Sequence, residues 1–252
     1  MGRLDGKVAV ITGGEGSVGM ATARVFMAEG AKVALVGIDE PGLRTGVAEL
    51  GQDAFSVVAD VTDAAQVQAA VAATTDRFGR LDIVFSNAGI SGVVGTPVTE
   101  YPDDVFDRVL AVHVRGTYLV CKHALPVISD GGSVIITSSV VGLTSAPGIV
   151  AYATAKHAQV GLMRTLAKEM APRGVRVNTI HPGPIDNDFQ HAIEMEATGA
   201  PKDEATTVFD AMIPLGRHAA PDEVARAVLF LASDDSSFVT GSTIPIDGGM
   251  HV

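Results

Sequence analysis

A single cysteine, Cys121, stands among the 252 residues, so no disulfide can form within the chain. Basic residues are sparse too: 18 Lys and Arg against 29 Asp and Glu leave a net charge of -11, and the cations are scattered along the chain. A polyanion needs a concentrated cationic face, so nucleic acid is not an expected partner. No window approaches the ~18 uninterrupted apolar residues of a membrane span, so no membrane partner is expected. The opening Met1-Gly2-Arg3-Leu4-Asp5-Gly6 lacks the long apolar stretch of a signal peptide, which makes the cytoplasm the expected location. Linkers, internal repeats and low-complexity segments are missing as well, and one domain over residues 1–252 is expected. Small-molecule chemistry is what these absences leave, with no metal site expected.

Hydrophobic residues make up 47% of the chain, enough for a sizeable core. Short β-branched runs alternate with longer helical patterns. The runs Val8–Thr12, Val33–Val36, Ser56–Ala59, Ile83–Ser86, Val134–Thr137, Val175–Ile180 and Thr243–Ile246 read as strands. They alternate little with polar residues, as strands covered on both faces do. The fold class this predicts is α/β: a doubly wound Rossmann fold, with a mostly parallel seven-stranded sheet and helices on both faces. Gly30-Ala31-Lys32 closes the first helix, and Pro221-Asp222-Glu223 opens the last. From Pro182 to Leu215 the chain reads as irregular, and it follows a strand end, where ligands sit in such folds. Residues 184–214 are therefore expected to form a substrate lid, with a packed surface helical hairpin as the alternative.

After the first strand comes Thr12-Gly13-Gly14-Glu15-Gly16-Ser17-Val18-Gly19, where a dinucleotide loop belongs. Glycines let backbone N–H groups approach phosphates, and the helix that follows offers its positive end. Tyr152 and Lys156 stand at i and i+4, on one face of a helix running toward Met170. A nearby cation stabilises phenolate, so Lys156 is expected to lower the Tyr152 pKa toward working pH and make it an acid/base. Ser139 ends a strand at the edge where ligands bind and is placed to hydrogen-bond a substrate oxygen.

This combination resembles the short-chain dehydrogenase/reductase family in its one-domain form, over essentially the whole chain. The motifs that carry the resemblance are Thr12–Gly19, Asp60-Val61, Ser86-Asn87-Ala88-Gly89, Ser139, Tyr152-x-x-x-Lys156, His181-Pro182-Gly183 and the tail Ile246–Gly249. The resemblance implies that Tyr152 exchanges a proton with the substrate oxygen while hydride moves to or from nicotinamide, and that Ser139 holds that oxygen. Lys156 would bind the nicotinamide ribose and tune Tyr152. Gly13, Gly16, Ser17, Val18 and Gly19 would meet the cofactor, Asp60 and Val61 its adenine, and Asn87, Ala88 and Gly89 would line its cleft. Pro182, Gly183 and Ile185 would pack on the nicotinamide.

Three positions depart from the family pattern. Gly16 and Ser17 are exchanged relative to the usual loop; Ser17 still offers donors to phosphate, and Gly16 keeps one flexible residue in the turn. His113 stands where the family carries a tetrad Asn. It is expected to serve through its backbone carbonyl, through a side chain titrating near neutrality, or only as a packed residue. Asn187 replaces the Thr that bonds the carboxamide, and an amide can make the same bond.

The second strand runs on into Gly37-Ile38-Asp39, with Gly37 at the usual acidic position and Ile38 at the usual NADP arginine position. Asp39 and Glu15 are the charged residues near the expected 2′ position, and both repel a 2′-phosphate, so NAD is expected, with NADP not excluded. The surroundings of Ser139 and Tyr152 are uncharged, with Val141, Ile149 and, from the lid, Met195 as expected substrate contacts. A largely apolar secondary alcohol or ketone fits best. A 3-oxoacyl-thioester reductase is the alternative within the class; a dinucleotide-responsive binding protein and a cofactor-independent lyase are alternatives outside it. The apolar tail Phe238–Val252 and the family's usual assembly imply a homotetramer.

Overall fold

All five residues of Val8–Thr12 are buried in the first strand, β1. Successive side chains of a strand leave opposite faces. Val10 accordingly joins one apolar cluster, while Ala9 and Ile11 join another. The same division runs through the neighbouring strands: Val36 and Val84 lie on the first side, Leu35, Ile83 and Phe85 on the second. This two-sided burial is the reason the strand segments read as unbroken apolar runs.

The computed structural model describes residues 2–252. Its remaining strands are β2 (Lys32–Gly37), β3 (Ala54–Val58), β4 (Ile83–Ser86), β5 (Ser133–Thr137), β6 (Arg176–Pro182) and β7 (Thr243–Ile246). They form one seven-stranded sheet in the order β3-β2-β1-β4-β5-β6-β7. Every pairing is parallel, so the expected "mostly parallel" sheet is in fact wholly so. The helices in chain order are α1 (Ser17–Ala28), α2 (Glu40–Leu50), α3 (Ala64–Phe78), α4 (Asp103–Leu110), α5 (Gly116–Ala124), α6 (Val150–Met170), α7 (Asp188–Thr198), α8 (Lys202–Asp210) and α9 (Pro221–Ala232). Helices α3, α5 and α6 bury Val67, Leu119 and Met163 on one face of the sheet. On the other face α1, α2 and α9 bury Phe26, Leu43 and Val228. The order reverses between β1 and β4, and a crevice opens there beyond the carboxyl ends of the strands.

The segment expected to be irregular is instead largely helical, folded as α7 and α8. The Asn187 side chain caps α7 by accepting from Gln190 N at 2.8 Å, and Gly199 ends it in the left-handed region at φ 68°. The pair is pinned by His218, whose Nε2 donates to Glu194 on α7 at 2.5 Å and whose Nδ1 donates to Asp210 on α8 at 2.7 Å. Burial pulls the His218 pKa down, but Asp210 and Glu194 outweigh it and the pKa is raised. Glu194 is 0% exposed, so losing its cation strands a buried carboxylate. His218→Ala is expected to cost about 3 kcal/mol in urea unfolding at neutral pH. A cost below about 1 kcal/mol would show that Gln190 and Thr206, which also donate to Glu194, suffice.

Candidate active site

The ends of β1, β4 and β5 are tied together by short polar side chains. Thr12 Oγ1 accepts from the backbone N–H groups of Asn87 and Ala88 at 2.9 and 3.2 Å. Asn87 in turn donates to Gly13 O at 3.4 Å and accepts from Thr137 Oγ1 at 3.1 Å. The Gly-rich loop lies close on this frame. A Cβ on Gly13, which has φ 62°, would approach Ala88 Cα to 3.0 Å, and one on Gly19 would lie 2.2 Å from Gly13 O. Gly16 differs: with φ -73° its backbone is one any residue adopts, so no flexible glycine is needed there. Ser17 opens α1, and its hydroxyl accepts from Asn187 Nδ2 at 2.9 Å, so two of the three unusual positions bond each other across the crevice.

Ser139 follows β5 in extended conformation, and its carbonyl accepts from His181 Nδ1 at 2.7 Å. Tyr152 lies in the first turn of α6, and Lys156 one turn on, with Nζ 5.2 Å from the Tyr152 ring centroid. Lys156 Nζ donates to Thr137 O at 2.8 Å. Lys156 is buried, and an ammonium carries three donors, so two lack a protein acceptor among the described residues. Burial pulls the Lys156 pKa down to about 7. Burial likewise pushes the Tyr152 pKa up to about 12, with the Ser139 hydroxyl pulling only partly the other way. The expected lowering of Tyr152 by Lys156 is therefore absent from the ligand-free protein: desolvation of the phenolate wins, and burial of Lys156 weakens the charge that would offset it.

His113 sits in a widened π-turn, Ala111–Arg115, between α4 and α5. Its ring meets Tyr152 edge to face with centroids 5.4 Å apart, and its Nε2 lies 2.7 Å from Ile90 O. Nδ1 is buried without a protein partner. Burial, with the nearby Lys156, lowers the His113 pKa to about 3, so the side chain does not titrate near neutrality. Its carbonyl accepts from Gln159 Nε2 at 3.2 Å. The folded pKa lies below the unfolded value of 6.5, so a penalty grows as pH falls from 6.5 toward 3. His181, lowered by burial to about 4, adds a second. Compared by urea unfolding at about pH 7 and pH 4, His113→Asn is expected to retain roughly 1–3 kcal/mol more of its neutral-pH stability than the parent. An equal loss in both proteins would contradict the buried neutral imidazole.

One crevice brings together Gly13, Gly16, Ser17 and Val18 with Asn87, Ala88 and Gly89. It also takes in His113, Ser139, Tyr152 and Lys156, and on the far wall Pro182, Gly183, Ile185 and Asn187. Gly19 lies buried beneath the loop. Ile38 and Asp39 stand exposed beyond β2. The Asp60 carboxylate accepts from Thr62 N and Oγ1, each at 2.8 Å, and Val61 packs under Gly116. None of Val141, Ile149 and Met195 lines the crevice; its wall from α7 is Phe189 and Gln190. Met195 lies about two helical turns beyond the start of α7 and is 40% exposed. Phe189, a residue of the expected lid, and Gln190 stand outside the expected substrate contacts, although Asn187 as a cap marks them as the first turn facing the strand ends.

A family model described as Enoyl-(Acyl carrier protein) reductase matches residues 13–251. Momilactone A synthase of Oryza sativa subsp. japonica is 40% identical over 256 residues, covering 99% of this chain and 92% of its own. Levodione reductase of Leifsonia aquatica is 39% identical over 254 residues, covering 98% and 95%. The 3-oxoacyl-(acyl-carrier-protein) reductase FabG of Thermotoga maritima is 37% identical over 255 residues, covering 99% and 100%. A crystal structure of levodione reductase matches with a TM-score of 0.95 at 37% identity, covering 98% of each chain. The chain belongs to the short-chain dehydrogenase/reductase family. It is an oxidoreductase that moves hydride between a nicotinamide cofactor and an alcohol or ketone. Among the described residues, no helix is long and apolar enough to cross a membrane.

Proposed function

We propose that this protein is an NAD-dependent dehydrogenase or reductase of a largely apolar secondary alcohol or ketone, with Tyr152 as its acid/base. The observation that carries this reading is the buried Lys156, whose ammonium has one protein acceptor and two free donors beside Tyr152 and Ser139. A buried cation with unused donors calls for a ligand that brings acceptors, and ribose hydroxyls suit it. The loop fits the same ligand, because Gly13 and Gly19 leave no room for a Cβ and α1 begins at Ser17. Asn87, Ala88 and Gly89 would flank it, and Pro182, Gly183, Ile185 and Asn187 would close its far side. Asp60 and Val61 would meet the adenine end, with Ile38 and Asp39 beyond the second strand.

When bound, the nicotinamide supplies or accepts hydride at its C4. Ser139 donates its hydroxyl hydrogen to the substrate oxygen. Tyr152, neutral in the ligand-free site, is the form that donates a proton to a ketone oxygen, and it takes one back from an alcohol. Lys156 supports the phenolate when ligand acceptors hold its charge. The edge of His113 fixes the Tyr152 ring. Residues 184–214, folded as α7 and α8, act as a lid that brings Phe189 over the substrate. Among the described residues no arginine lines the crevice to clamp a carboxylate or phosphate, in keeping with an apolar substrate. A 3-oxoacyl thioester is the second reading, favoured by the likeness to FabG; the net charge of -11 gives an acidic carrier no cationic dock.

The protein is further proposed to act in the cytoplasm as a homotetramer, a reading supported by the exposed Phe238 and Val252 of the tail. Thermal unfolding with NAD(H) and NADP(H) tests the cofactor reading, because a ligand of the folded state raises stability as RT ln(1 + [L]/Kd). A larger rise with NAD(H) is expected. No rise with either would contradict the dehydrogenase and dinucleotide-responsive readings alike and leave the cofactor-independent lyase.

A further inference from the structure

Strand β2 ends at Gly37, where dinucleotide folds carry an acidic side chain against the adenine ribose. A Cβ built on Gly37 would lie 1.9 Å from Glu15 Oε2 and 2.4 Å from Glu15 Cδ. The Glu15 carboxylate thus fills the volume in which a side chain at position 37 would begin. Its approach is steered by the loop: a Cβ on Gly14 would lie 2.9 Å from Leu35 Cβ, so Gly14 lets this turn rest on β2. Glu15 Oε1 accepts from the backbone N–H groups of Ile38 and Asp39 at 3.1 and 3.4 Å, which fixes the carboxylate at the strand end. Glu15 Oε2 is buried and has no partner. Glu15 also lines the same crevice as Ser17, Tyr152 and Lys156.

We infer that Glu15, supplied by the Gly-rich loop, is the carboxylate that selects the adenine ribose here, and that Gly37 is glycine because Glu15 occupies its side-chain space. The inference rests on the nicotinamide-dinucleotide reading above and assigns its specificity to one residue. The Glu15 carboxylate lines the crevice with one oxygen lacking a donor, so a small turn of that oxygen away from Gly37 lets it accept from a ribose hydroxyl, while its charge repels a phosphate at the same position. Asp39, the other acid nearby, folds over its own helix: its Oδ2 would lie 2.5 Å from a Cβ on Gly42, in the first turn of α2. Glu15 and an acid at position 37 are mutually exclusive, because two carboxylates would share one volume.

The test is calorimetric titration of NAD and NADP into the purified protein and its variants, which reads binding without turnover. Glu15→Gln keeps the shape and is expected to weaken NAD binding roughly ten- to hundredfold and to narrow the NAD-over-NADP ratio. Asp39→Asn is expected to change it by less than about threefold. Gly37→Asp alone is expected to abolish measurable NAD binding, and Glu15→Gly added to it to restore affinity to within about tenfold of the parent. Thermal unfolding of each ligand-free variant checks the fold. Unchanged NAD affinity in Glu15→Gln, or loss carried by Asp39→Asn instead, would overturn the inference while leaving the cofactor reading intact. A parent protein that binds neither NAD nor NADP would overturn the cofactor reading, and the inference with it.

Discussion

Tyr152→Phe is expected to lower kcat by about 10³-fold or more while changing NAD affinity by less than about threefold. The substitution removes one oxygen from a half-buried ring whose packing is otherwise kept, including the edge contact with His113 at 5.4 Å. What is lost is the Tyr152 hydroxyl, whose pKa burial raises and Ser139 partly lowers, and so the proton that must reach or leave the substrate oxygen. Single-turnover rates set beside calorimetric cofactor affinities separate the two effects. A decline of less than tenfold would assign the proton to another group. His113 would not be that group near neutrality, because burial holds its pKa at about 3.

Lys156→Met is expected to do two opposite things: to reduce kcat/KM by about 10²-fold or more, and to make the ligand-free protein more stable at neutral pH. The second effect follows from burial. Lys156 has a folded pKa of about 7 against an ordinary 10.5, so the cost of burying its charge is fully present below about pH 7. That cost fades as pH rises from 7 toward 10.5, where the unfolded lysine also loses its proton. A methionine of similar length removes the cost and gives up one hydrogen bond to Thr137 O. A net gain of about 1–3 kcal/mol is expected, or roughly 2–4 °C per kcal/mol in Tm for a chain of this size. The gain is expected to shrink as pH approaches 10, and the NAD-induced rise in Tm to be lost. A variant less stable than the parent at pH 7 would mean that Lys156 is a structural ion rather than a site held ready for a ligand.

The strands were legible because the sheet is covered on both faces, which leaves their apolar runs unbroken, and differences at their ends follow from pairing. Lys32 extends β2 because it pairs with Val8, although its side chain is exposed and polar. Helices α7 and α8 were not legible from hydrophobic periodicity, and the physical reason is plain. The buried positions of α7 are His191 and Glu194, so its inward face is ionic and rests on His218, which is distant in sequence. Cap signals were nevertheless present in Asn187, Gly199 and Pro201.

Within the site, Ser139, Tyr152 and Lys156 were readable from residue type and spacing, but their ionisation was not. Spacing alone suggested that Lys156 would lower the Tyr152 pKa, whereas the burial that reverses the effect comes from elements far apart in the chain. The pairing of Ser17 with Asn187 and of Glu15 with Gly37 likewise joins departures that appear unrelated along the sequence.

The most direct test of the central claim is to follow nicotinamide absorbance while the parent protein and Tyr152→Phe meet a panel of alicyclic alcohols with NAD and ketones with NADH, repeated with the phosphorylated cofactors. The expected result is turnover by the parent with the unphosphorylated cofactor preferred, and turnover lower by about 10³-fold or more in Tyr152→Phe despite retained binding. Turnover that falls less than about tenfold on the substitution, or a preference for the phosphorylated cofactors, would contradict the account.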